Sequence, residues 1–374
     1  MIHYGETNVK STFTLTIPPK YDMLNHKGSD TMQDLWLQIL LTALNAVLPI
    51  ILMIALGYIL RQKKMLSESF LTIGNKLVFK LCLPTMLFVN IYGVASLSDI
   101  RWDVVGYCAV ALCVIFGAGM LIAVLTTPVP KRRGVMAQCT FRSNYAIIGM
   151  PLAASLGGAA AEAVAAVVSS VAVPILNVLA VISLSVFVNQ GENGKISVKR
   201  ILLDIVKNPL IQGVAAGMLC LVLRWAQREL FGDVVFSISR DTEFLYTVLN
   251  YLKAITTPLA LIVLGGQFTF SAVKELRKEI IVATSSRVFL APIIGIGGAI
   301  ALTLAGVLRC GTAEFPALVA LFGSPVSVSS AIMASQMHND EQLATQLVVW
   351  TTIISGITVF LISCGLMAAG YITV

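Results

Sequence analysis

The sequence predicts an all-α polytopic membrane protein in which ten transmembrane helices form two inverted five-helix repeats, and the broken helices 4 and 9 cross at the midplane. Three observations lead to this fold class: the composition, the number of apolar stretches and a repeat in the proline positions. Of 374 residues, 57% are hydrophobic and only 12% are charged, whereas soluble domains carry about 25% charged residues. Because so few charges cannot cover a soluble protein of this size, the expected solvent is the lipid bilayer.

Ten stretches are apolar enough to be spanning helices, each of which needs about 20 residues. They cover about 35–60, 70–94, 104–125, 134–157, 163–188, 209–223, 244–268, 280–308, 312–337 and 343–369. The sixth stretch is short, and Gly and Pro interrupt the fourth and the ninth. The chain therefore divides into four predicted segments: a disordered N-terminal tail over 1–34, a first five-helix repeat over 35–188, a cytoplasmic linker over 189–208 and a second five-helix repeat over 209–374.

Lysine and arginine are unevenly distributed between the loops, and this bias predicts the orientation of the chain. The loops at 61–69, 126–133, 189–208 and 269–280 hold 13 Lys and Arg residues, whereas the loops on the other side hold 5. Because cytoplasmic loops are enriched in these residues, we expect the first set to lie in the cytoplasm and both termini to lie outside. The predicted location is the cell membrane.

The prolines indicate an internal repeat. Pro84 and Pro258, in the second and seventh stretches, are 174 residues apart, and so are Pro151 and Pro325, in the fourth and ninth. Because each half has an odd number of spans, the second half must enter the membrane from the opposite side to the first. Inverted repeats with interrupted helices at corresponding positions are typical of secondary transporters, which bind their substrate near the midplane.

The two interruptions are expected to lie at similar depth and to favour an anion. Asn144 lies about 16 Å along the helix from the basic loop that ends at Arg133, so the segment 144–151 is the expected break in the fourth helix. Ser324 and Pro325 mark the break in the ninth. The free N–H groups and the dipole at the start of each second half-helix attract negative charge. The alternative is a proline kink with a purely structural role.

Charged side chains within the spans are few, and each is costly in a bilayer. Arg142 is expected to lie deep, where it balances a bound carboxylate or pairs with a backbone carbonyl or a lipid phosphate. Lys76, Lys80 and Arg287 lie nearer the span ends, from which long side chains can reach the interface. The predicted substrate-binding residues are Arg142, Asn144, Tyr145, Gly149, Pro151, Gly323, Ser324, Pro325 and Ser327.

Several other functions are disfavoured. No basic run is interleaved with aromatic residues, so nucleic acid is not an expected partner. The seven cysteines form no CxxC pair and lie far from the three histidines in sequence, so neither a metal nor a cofactor is expected. The sequence has no HExxH, GxSxG or Walker A motif, which argues against an enzyme and against an ATP-driven pump. A channel or a receptor remains an alternative.

The segment RSNYAIIGMPL, from Arg142 to Leu152, resembles the fourth helix of the auxin efflux carrier family. The segment from Gly323 to Asp340 is similar to that family's second crossover, and Pro84 and Pro258 match its second and seventh helices. This resemblance covers the chain from residue 36 onward. It implies a fold like that of the sodium/proton antiporters and the bile acid symporters, with spans 1, 2, 6 and 7 as a scaffold and dimer face and spans 3–5 and 8–10 as a moving domain.

The resemblance also implies a function. The asparagine that binds the substrate carboxylate in plant members of the family corresponds to Asn144, whereas Ser324 and Ser327 depart from the plant pattern. The short loop after the fifth span is similar to that of bacterial members, which are linked to malate, malonate and similar organic acids. The implied function is therefore secondary transport of a small organic anion by a homodimer, with a proton or a sodium ion as the candidate coupling ion. The alternative is a sodium-coupled organic anion symporter of the bile acid type.

Overall fold

A computed structural model describes residues 32–93, 101–188 and 198–372. The regular secondary structure of these ranges is helical, and the one β-type pairing within them is an antiparallel bridge between Ser143 and Val326. Of the predicted N-terminal tail, residues 1–31 lie outside the described part of the chain. The first helix begins at Met32, slightly before the predicted first span.

Twelve longer helices and two one-turn helices, Ile238–Asp241 and Ser271–Glu275, make up the described ranges. The longer helices are α1 (Met32–Gln62), α2 (Glu68–Tyr92), α3 (Trp102–Thr126), α4 (Pro130–Phe141), α5 (Tyr145–Val186), α6 (Val198–Lys207), α7 (Pro209–Phe231), α8 (Glu243–Gln267), α9 (Arg277–Leu304), α10 (Glu314–Gly323), α11 (Val328–Gln336) and α12 (Glu341–Ala368). Helices α2, α5 and α9 contain π-helical turns close to prolines. The wider turn accommodates the missing N–H and the bulk of the proline ring.

Seven of these helices are long and apolar enough to cross a membrane, namely α2, α3, α5, α7, α8, α9 and α12. The chain is therefore a multi-pass helical membrane protein, but the predicted total of ten spans is not confirmed. Helix α5 has 42 residues and contains the second part of the fourth predicted span and the fifth predicted span, which are separated only by a kink at Gly157 and Gly158. Gly158 has a φ of 63°, a conformation that glycine adopts without steric strain. The fourth and ninth predicted spans are each divided, which leaves α4, α10 and α11 too short to cross alone.

The predicted linker over 189–208 contains a helix. Residues 189–197 lie outside the described part of the chain, whereas α6 follows directly and carries the exposed apolar side chains of Leu202 and Val206 beside the exposed Lys207. Asn208 then caps the next helix, because its side-chain oxygen accepts a hydrogen bond from the N–H of Leu210 at 2.9 Å. The linker therefore ends as an amphipathic helix that leads immediately into α7.

Two pairs of helices approach each other closely at glycines. In the pair of α1 and α8, Gly265 lies against the backbone carbonyl of Ile54, where no side chain would fit. In the pair of α2 and α7, Gly213 lies against the backbone of Pro84 in the same manner. Small residues at such contacts let helix backbones come together, which is the usual source of packing energy between helices in a membrane.

Gly265→Ala should destabilise the protein, whereas Gly106→Ala should not. The added methyl group at position 265 would overlap the Ile54 carbonyl, and overpacking of this kind typically costs about 1–3 kcal/mol. Gly106 lies on an exposed face of α3 with no atom within 4 Å of an added Cβ, and alanine is the better helix former. Thermal unfolding of the two purified variants in one detergent measures the difference. Equal melting temperatures would contradict the close contact between α1 and α8.

Candidate functional site

The chain crosses itself where α4 and α10 end. Residues 142–144 connect α4 to α5, and residues 324–327 connect α10 to α11. At the crossing, the Asn144 N–H donates to the Pro325 carbonyl at 2.8 Å, and the Ser327 N–H donates to the Arg142 carbonyl at 3.1 Å. Non-helical backbone inside a membrane protein must find its hydrogen-bond partners within the protein. Each interruption supplies partners for the other.

The break in the fourth predicted span lies at 142–144 and not at 144–151 as expected. The helix resumes at Tyr145 with a five-residue π turn and continues through Pro151, which is exposed. The π turn accommodates the proline within a continuous helix, so the proline does not mark the break. The break instead coincides with a Ser-Asn pair, whose side chains compete with helical hydrogen bonds.

The second break lies where the sequence predicts it. Helix α10 ends at Gly323, the backbone of Ser324 is extended, and α11 begins at Val328. Pro325 has no N–H to donate, and its carbonyl serves the crossing segment. The two prolines that are 174 residues apart, Pro151 and Pro325, therefore occupy different places relative to the breaks.

A cavity lies beside the crossing. Its volume is about 40 Å³, which is room for a few water molecules. The apolar part of its lining comes mainly from α2, α5 and α7 and includes Leu83, Met86, Leu87, Leu176 and Leu210. The polar part comes from the crossing, α5, α8 and α11 and consists of Arg142, Ser143, Asn144, Asn177, Thr256, Thr257, Ser327 and Ser329.

Arg142 is a buried cation on the wall of this cavity, with 3% of its surface exposed. Its Nη2 donates to Oδ1 of Asn177 and to Oγ of Ser329, both at 2.9 Å, and its Nη1 contacts the sulfur of Met333. All these partners are neutral, and no carboxylate of the described residues forms an ion pair with it. A charge buried without a counterion is energetically costly, so the guanidinium has unsatisfied attraction for an anion.

Asn144 brings an amide group and the start of a helix to the same cavity. It is 3% exposed, and no hydrogen bond joins its side chain to another residue in the described ranges. The next backbone N–H groups, of Tyr145, Ala146 and Ile147, begin α5 and also line the cavity. The first N–H groups of a helix have no intrahelical acceptor. Val328 begins α11 at the same cavity, so two positive helix ends converge there.

Four of the predicted substrate-binding residues line the cavity: Arg142, Asn144, Tyr145 and Ser327. Tyr145 contributes its backbone, because its hydroxyl group donates to the Ala165 carbonyl at 3.0 Å. The other predicted residues do not line the cavity: Gly149, Gly323, Ser324 and Pro325 lie at or beside the crossing, and Pro151 lies on an exposed face of α5.

The residues outside the cavity position the crossing helices. Gly149 lets α5 approach α10, since an added Cβ would lie 2.7 Å from the Ala320 carbonyl. The hydroxyl of Ser324 donates to the same carbonyl at 2.6 Å. Gly323 ends α10 at the break. These contacts are structural, and they hold in place the backbone that reaches the cavity.

Five polar residues of the cavity are not among the predicted substrate-binding residues: Ser143 and Ser329 beside the two breaks, and Asn177, Thr256 and Thr257 on longer helices. Asn177 lies on α5, where it accepts from Arg142 and donates to the Val173 carbonyl at 2.8 Å. Thr256 and Thr257 lie on α8. The available signals were a single amide within the apolar fifth stretch and a threonine pair directly before a proline. Both were weak, because neither shows which face of its helix points inward.

The other cations within the spans differ from one another. Lys76 and Lys80 are exposed, which agrees with side chains that reach the interface. Arg287 is 1% exposed, and the expectation that it reaches the interface was wrong. Its guanidinium group instead donates to backbone carbonyls at the ends of α4 and α10. These carbonyls are brought beside Arg287 only by the folded crossing.

A multi-pass helical protein with two interrupted helices crossing beside a polar cavity has the architecture of a membrane transporter. The model of a family described as membrane transport proteins matches residues 42–363. The chain therefore belongs to that family, which is the auxin efflux carrier family that its sequence resembles, and this is a family of transporters rather than enzymes. It is also similar to an uncharacterized transporter of Methanothermobacter thermautotrophicus, with 23% identity over 317 residues that cover 83% of this chain and 93% of the relative.

Proposed function

We propose that this protein is a secondary active transporter that moves a small organic anion, such as malate or malonate, across the cell membrane by alternating access, as a homodimer. The observation that carries the proposal is the convergence of the Arg142 guanidinium, the Asn144 amide and two helix N-termini on one cavity. A carboxylate that leaves water loses its hydration and must recover hydrogen bonds and favourable charge. The Asn144 amide offers hydrogen bonds, and the Arg142 guanidinium group and the two helix N-termini offer both N–H donors and positive charge.

Helix contacts support an arrangement of two inverted five-helix repeats. Gly57 of α1 packs against the backbone of Ile262 in α8, and Gly217 of α7 packs against the backbone of Phe88 in α2. The two glycines are 160 residues apart, and their partners are 174 residues apart. The first helix of each half therefore packs on the second helix of the other half, as a two-fold axis requires.

A further contact lies where such an axis is expected. The hydroxyl of Thr256 in α8 donates to the carbonyl of Cys82 in α2 at 3.1 Å, and the two residues are 174 positions apart. Pro84 and Pro258 are also separated by this offset. Equivalent residues of two repeats touch each other only near the axis that relates them, so this contact supports the proposed symmetry.

Two ion pairs, one at each end of the bundle, lie at corresponding places in the two halves of the chain. At one end, Arg132 of α4 pairs with Glu279 of α9 at 3.1 Å. At the other end, Arg101, directly before α3, pairs with Glu314 of α10 at 3.0 Å. Glu314 lies 182 residues after Arg132, which is also the offset between the two breaks. Each pair joins one of the crossing half-helices, α4 or α10, to α9 or to the start of α3, and we propose that the two pairs hold the moving domain together as one body.

The cavity lies between the proposed scaffold and the proposed moving domain. Leu83, Leu210 and Thr256 belong to helices α2, α7 and α8 of the scaffold, whereas Asn144 and Asn177 belong to the moving domain. A carboxylate bound there would therefore lie between the two proposed domains, whose relative motion is what alternating access requires.

Uptake by purified protein in proteoliposomes tests the proposal. We expect saturable uptake within a panel of radiolabelled mono- and dicarboxylates, including malate and malonate, under imposed pH and sodium gradients. Uptake that a sodium gradient drives would favour the alternative, a sodium-coupled organic anion symporter of the bile acid type. Folded protein that transports none of the carboxylates would overturn the proposal. Ion currents far above transporter rates would indicate a channel instead.

Labelling from outside the cell tests the proposed orientation. Lys64 lies in the exposed turn between α1 and α2, and Asp233 is exposed after α7 at the end expected to face outward. A membrane-impermeant maleimide added to intact cells should label Asp233→Cys and not Lys64→Cys, because the Lys/Arg bias places residue 64 in the cytoplasm. Both variants should react after lysis. The reverse pattern in intact cells would overturn the orientation.

Pro325→Ala should impair uptake more than Pro151→Ala. Pro325 lies in the break, and a residue with an N–H there allows α10 and α11 to approach a continuous helix. Displacement of the half-helix start should lower uptake by roughly tenfold or more. Pro151 lies on an exposed face of the continuous α5 and serves as the matched control. Equal uptake by both well-folded variants would show that the second break is not needed for function.

A further inference from the structure

We infer that Arg287 is a built-in cation at the helix crossing, and that transport by this protein therefore needs no sodium ion. The inference rests on the proposed function and deepens it, because it concerns the ion that the same crossing would use. In transporters with interrupted helices, unwound backbone carbonyls and the C-terminal ends of half-helices bind the coupling cation. Here the guanidinium group of one buried arginine occupies such a set of carbonyls.

The geometry of Arg287 is specific to the crossing. Its Nε and Nη2 donate to the Ser324 carbonyl at 2.8 and 2.6 Å, and its Nη2 also lies 3.1 Å from the Leu321 carbonyl. Its Nη1 lies 3.3 Å from the carbonyls of both Thr140 and Phe141. The first two carbonyls belong to the end of α10 and the other two to the end of α4. One side chain therefore binds the C-terminal ends of both interrupted helices.

The electrostatics require a cation at this place. The last carbonyls of a helix have no intrahelical donor, and the helix dipole makes that end negative. Two such ends meet here in a region where Arg287 is 1% exposed, so water cannot replace the missing donors. Arginine remains protonated under all ordinary conditions. No carboxylate in the described part of the chain forms an ion pair with Arg287, so its charge is available to the carbonyls.

Arg287 and Arg142 therefore have different roles at the crossing. Arg287 neutralises the negative ends of α4 and α10, whereas Arg142 lies with the positive starts of α5 and α11 at the cavity. The negative ends already have a cation that is covalently part of the chain. The positive charge of Arg142 and of the two helix starts remains without a counterion at the cavity, where a bound anion would neutralise it. A sodium ion at the C-terminal carbonyls would have to displace the guanidinium group, and like charges disfavour that exchange.

Arg287→Ala removes the cation and leaves space for a soluble one. We expect its apparent melting temperature in detergent to fall by about 5 °C or more, because buried carbonyls lose their donors. Millimolar guanidinium chloride should restore part of this loss, whereas tetramethylammonium chloride, which has no N–H, should not. Wild-type protein and Arg240→Ala, which alters an exposed arginine paired with Asp241, should gain nothing from guanidinium. A folded Arg287→Ala protein that does not respond to guanidinium would overturn the inference.

The wild-type protein provides the second test, which needs no variant to fold. Its melting temperature, and its uptake of [¹⁴C]malonate in proteoliposomes, should be the same in sodium chloride and in choline chloride of equal ionic strength. Either one rising specifically with sodium would overturn the inference. If Arg287→Ala does not fold, Arg287→Lys keeps the charge with fewer donors, and we expect a lower melting temperature that is still insensitive to sodium. A sodium-dependent Arg287→Lys protein would also overturn it.

The two proposals fail in distinguishable ways. Carboxylate uptake driven by a sodium gradient would overturn the built-in cation and leave the transporter proposal intact. Folded protein that takes up no carboxylate would overturn the proposed function. In that case, rescue of Arg287→Ala by guanidinium and a melting temperature insensitive to sodium would still support the assignment of Arg287 to the carbonyl site.

Discussion

Replacing Asn144 with alanine should weaken carboxylate binding by about 1–3 kcal/mol, or roughly 5- to 150-fold, because two amide donors are lost from a buried site. The residue is 3% exposed and lines the cavity, and no other described residue forms a hydrogen bond with its side chain. Its backbone N–H, which donates to the Pro325 carbonyl, remains in the variant. The substitution therefore removes the ligand group without removing the link between the two breaks.

Binding of malonate to purified protein, measured by isothermal titration calorimetry, tests this expectation. The matched control is Asn250→Ala, since the amide of Asn250 donates to the Tyr246 carbonyl within α8 and does not line the cavity. That variant should bind as the wild type does. Unchanged affinity in well-folded Asn144→Ala would remove this side chain from the site and leave the half-helix starts as the anion locus.

Arg142→Gln should weaken the binding of dianions more than that of monoanions. Two unit charges 4 Å apart attract by about 4 kcal/mol at an effective dielectric constant of 20, so each added negative charge on the ligand increases the loss. We expect affinity for malonate to fall at least roughly tenfold further than affinity for a monocarboxylate of similar size. Glutamine keeps hydrogen-bonding capacity toward Asn177 and Ser329, the present partners of Arg142.

The comparison of two ligand charges separates an electrostatic role from a structural one. A purely structural Arg142 would lower the affinity for both ligands by the same factor, or would lower only the melting temperature. Arg240→Gln is the control, because Arg240 is exposed and pairs with Asp241 outside the cavity. It should change neither affinity. Equal losses for the two ligands in Arg142→Gln would contradict the role of this charge in the site.

Features that depend on local sequence could be predicted. The apolar stretches correspond to helices, because a helix in lipid must satisfy its own backbone. The Gly-Ser-Pro segment at 323–325 marks a break, since extended serine followed by proline cannot continue the helix. Asn144 and Arg142 were singled out as polar residues in an apolar stretch, and both line the cavity. Their role as substrate ligands remains a prediction.

Features that depend on three-dimensional context could not be predicted. Pro151 was expected to mark a break, but a π turn accommodates this proline within a continuous helix. Such turns have no clear signature in the sequence. Arg287 was expected to reach the interface, because its position along α9 does not show that the carbonyls of two distant helix ends surround it. Asn177 and Thr256 enter the cavity only through the packing of α5 and α8 beside the crossing. Sequence spacing cannot reveal which helices become neighbours.

Transport of a small carboxylate across the membrane is expected to depend on the crossing of the two interrupted helices. Counterflow in proteoliposomes tests it most directly, with unlabelled malonate inside and a trace of [¹⁴C]malonate outside, for the wild type and for Asn144→Ala combined with Arg142→Gln. Both residues line the cavity at the crossing. Internal malonate should stimulate a transient accumulation of label in vesicles that contain the wild type. Vesicles that contain the double variant should show no such accumulation. Equal accumulation by the folded double variant would contradict the claim.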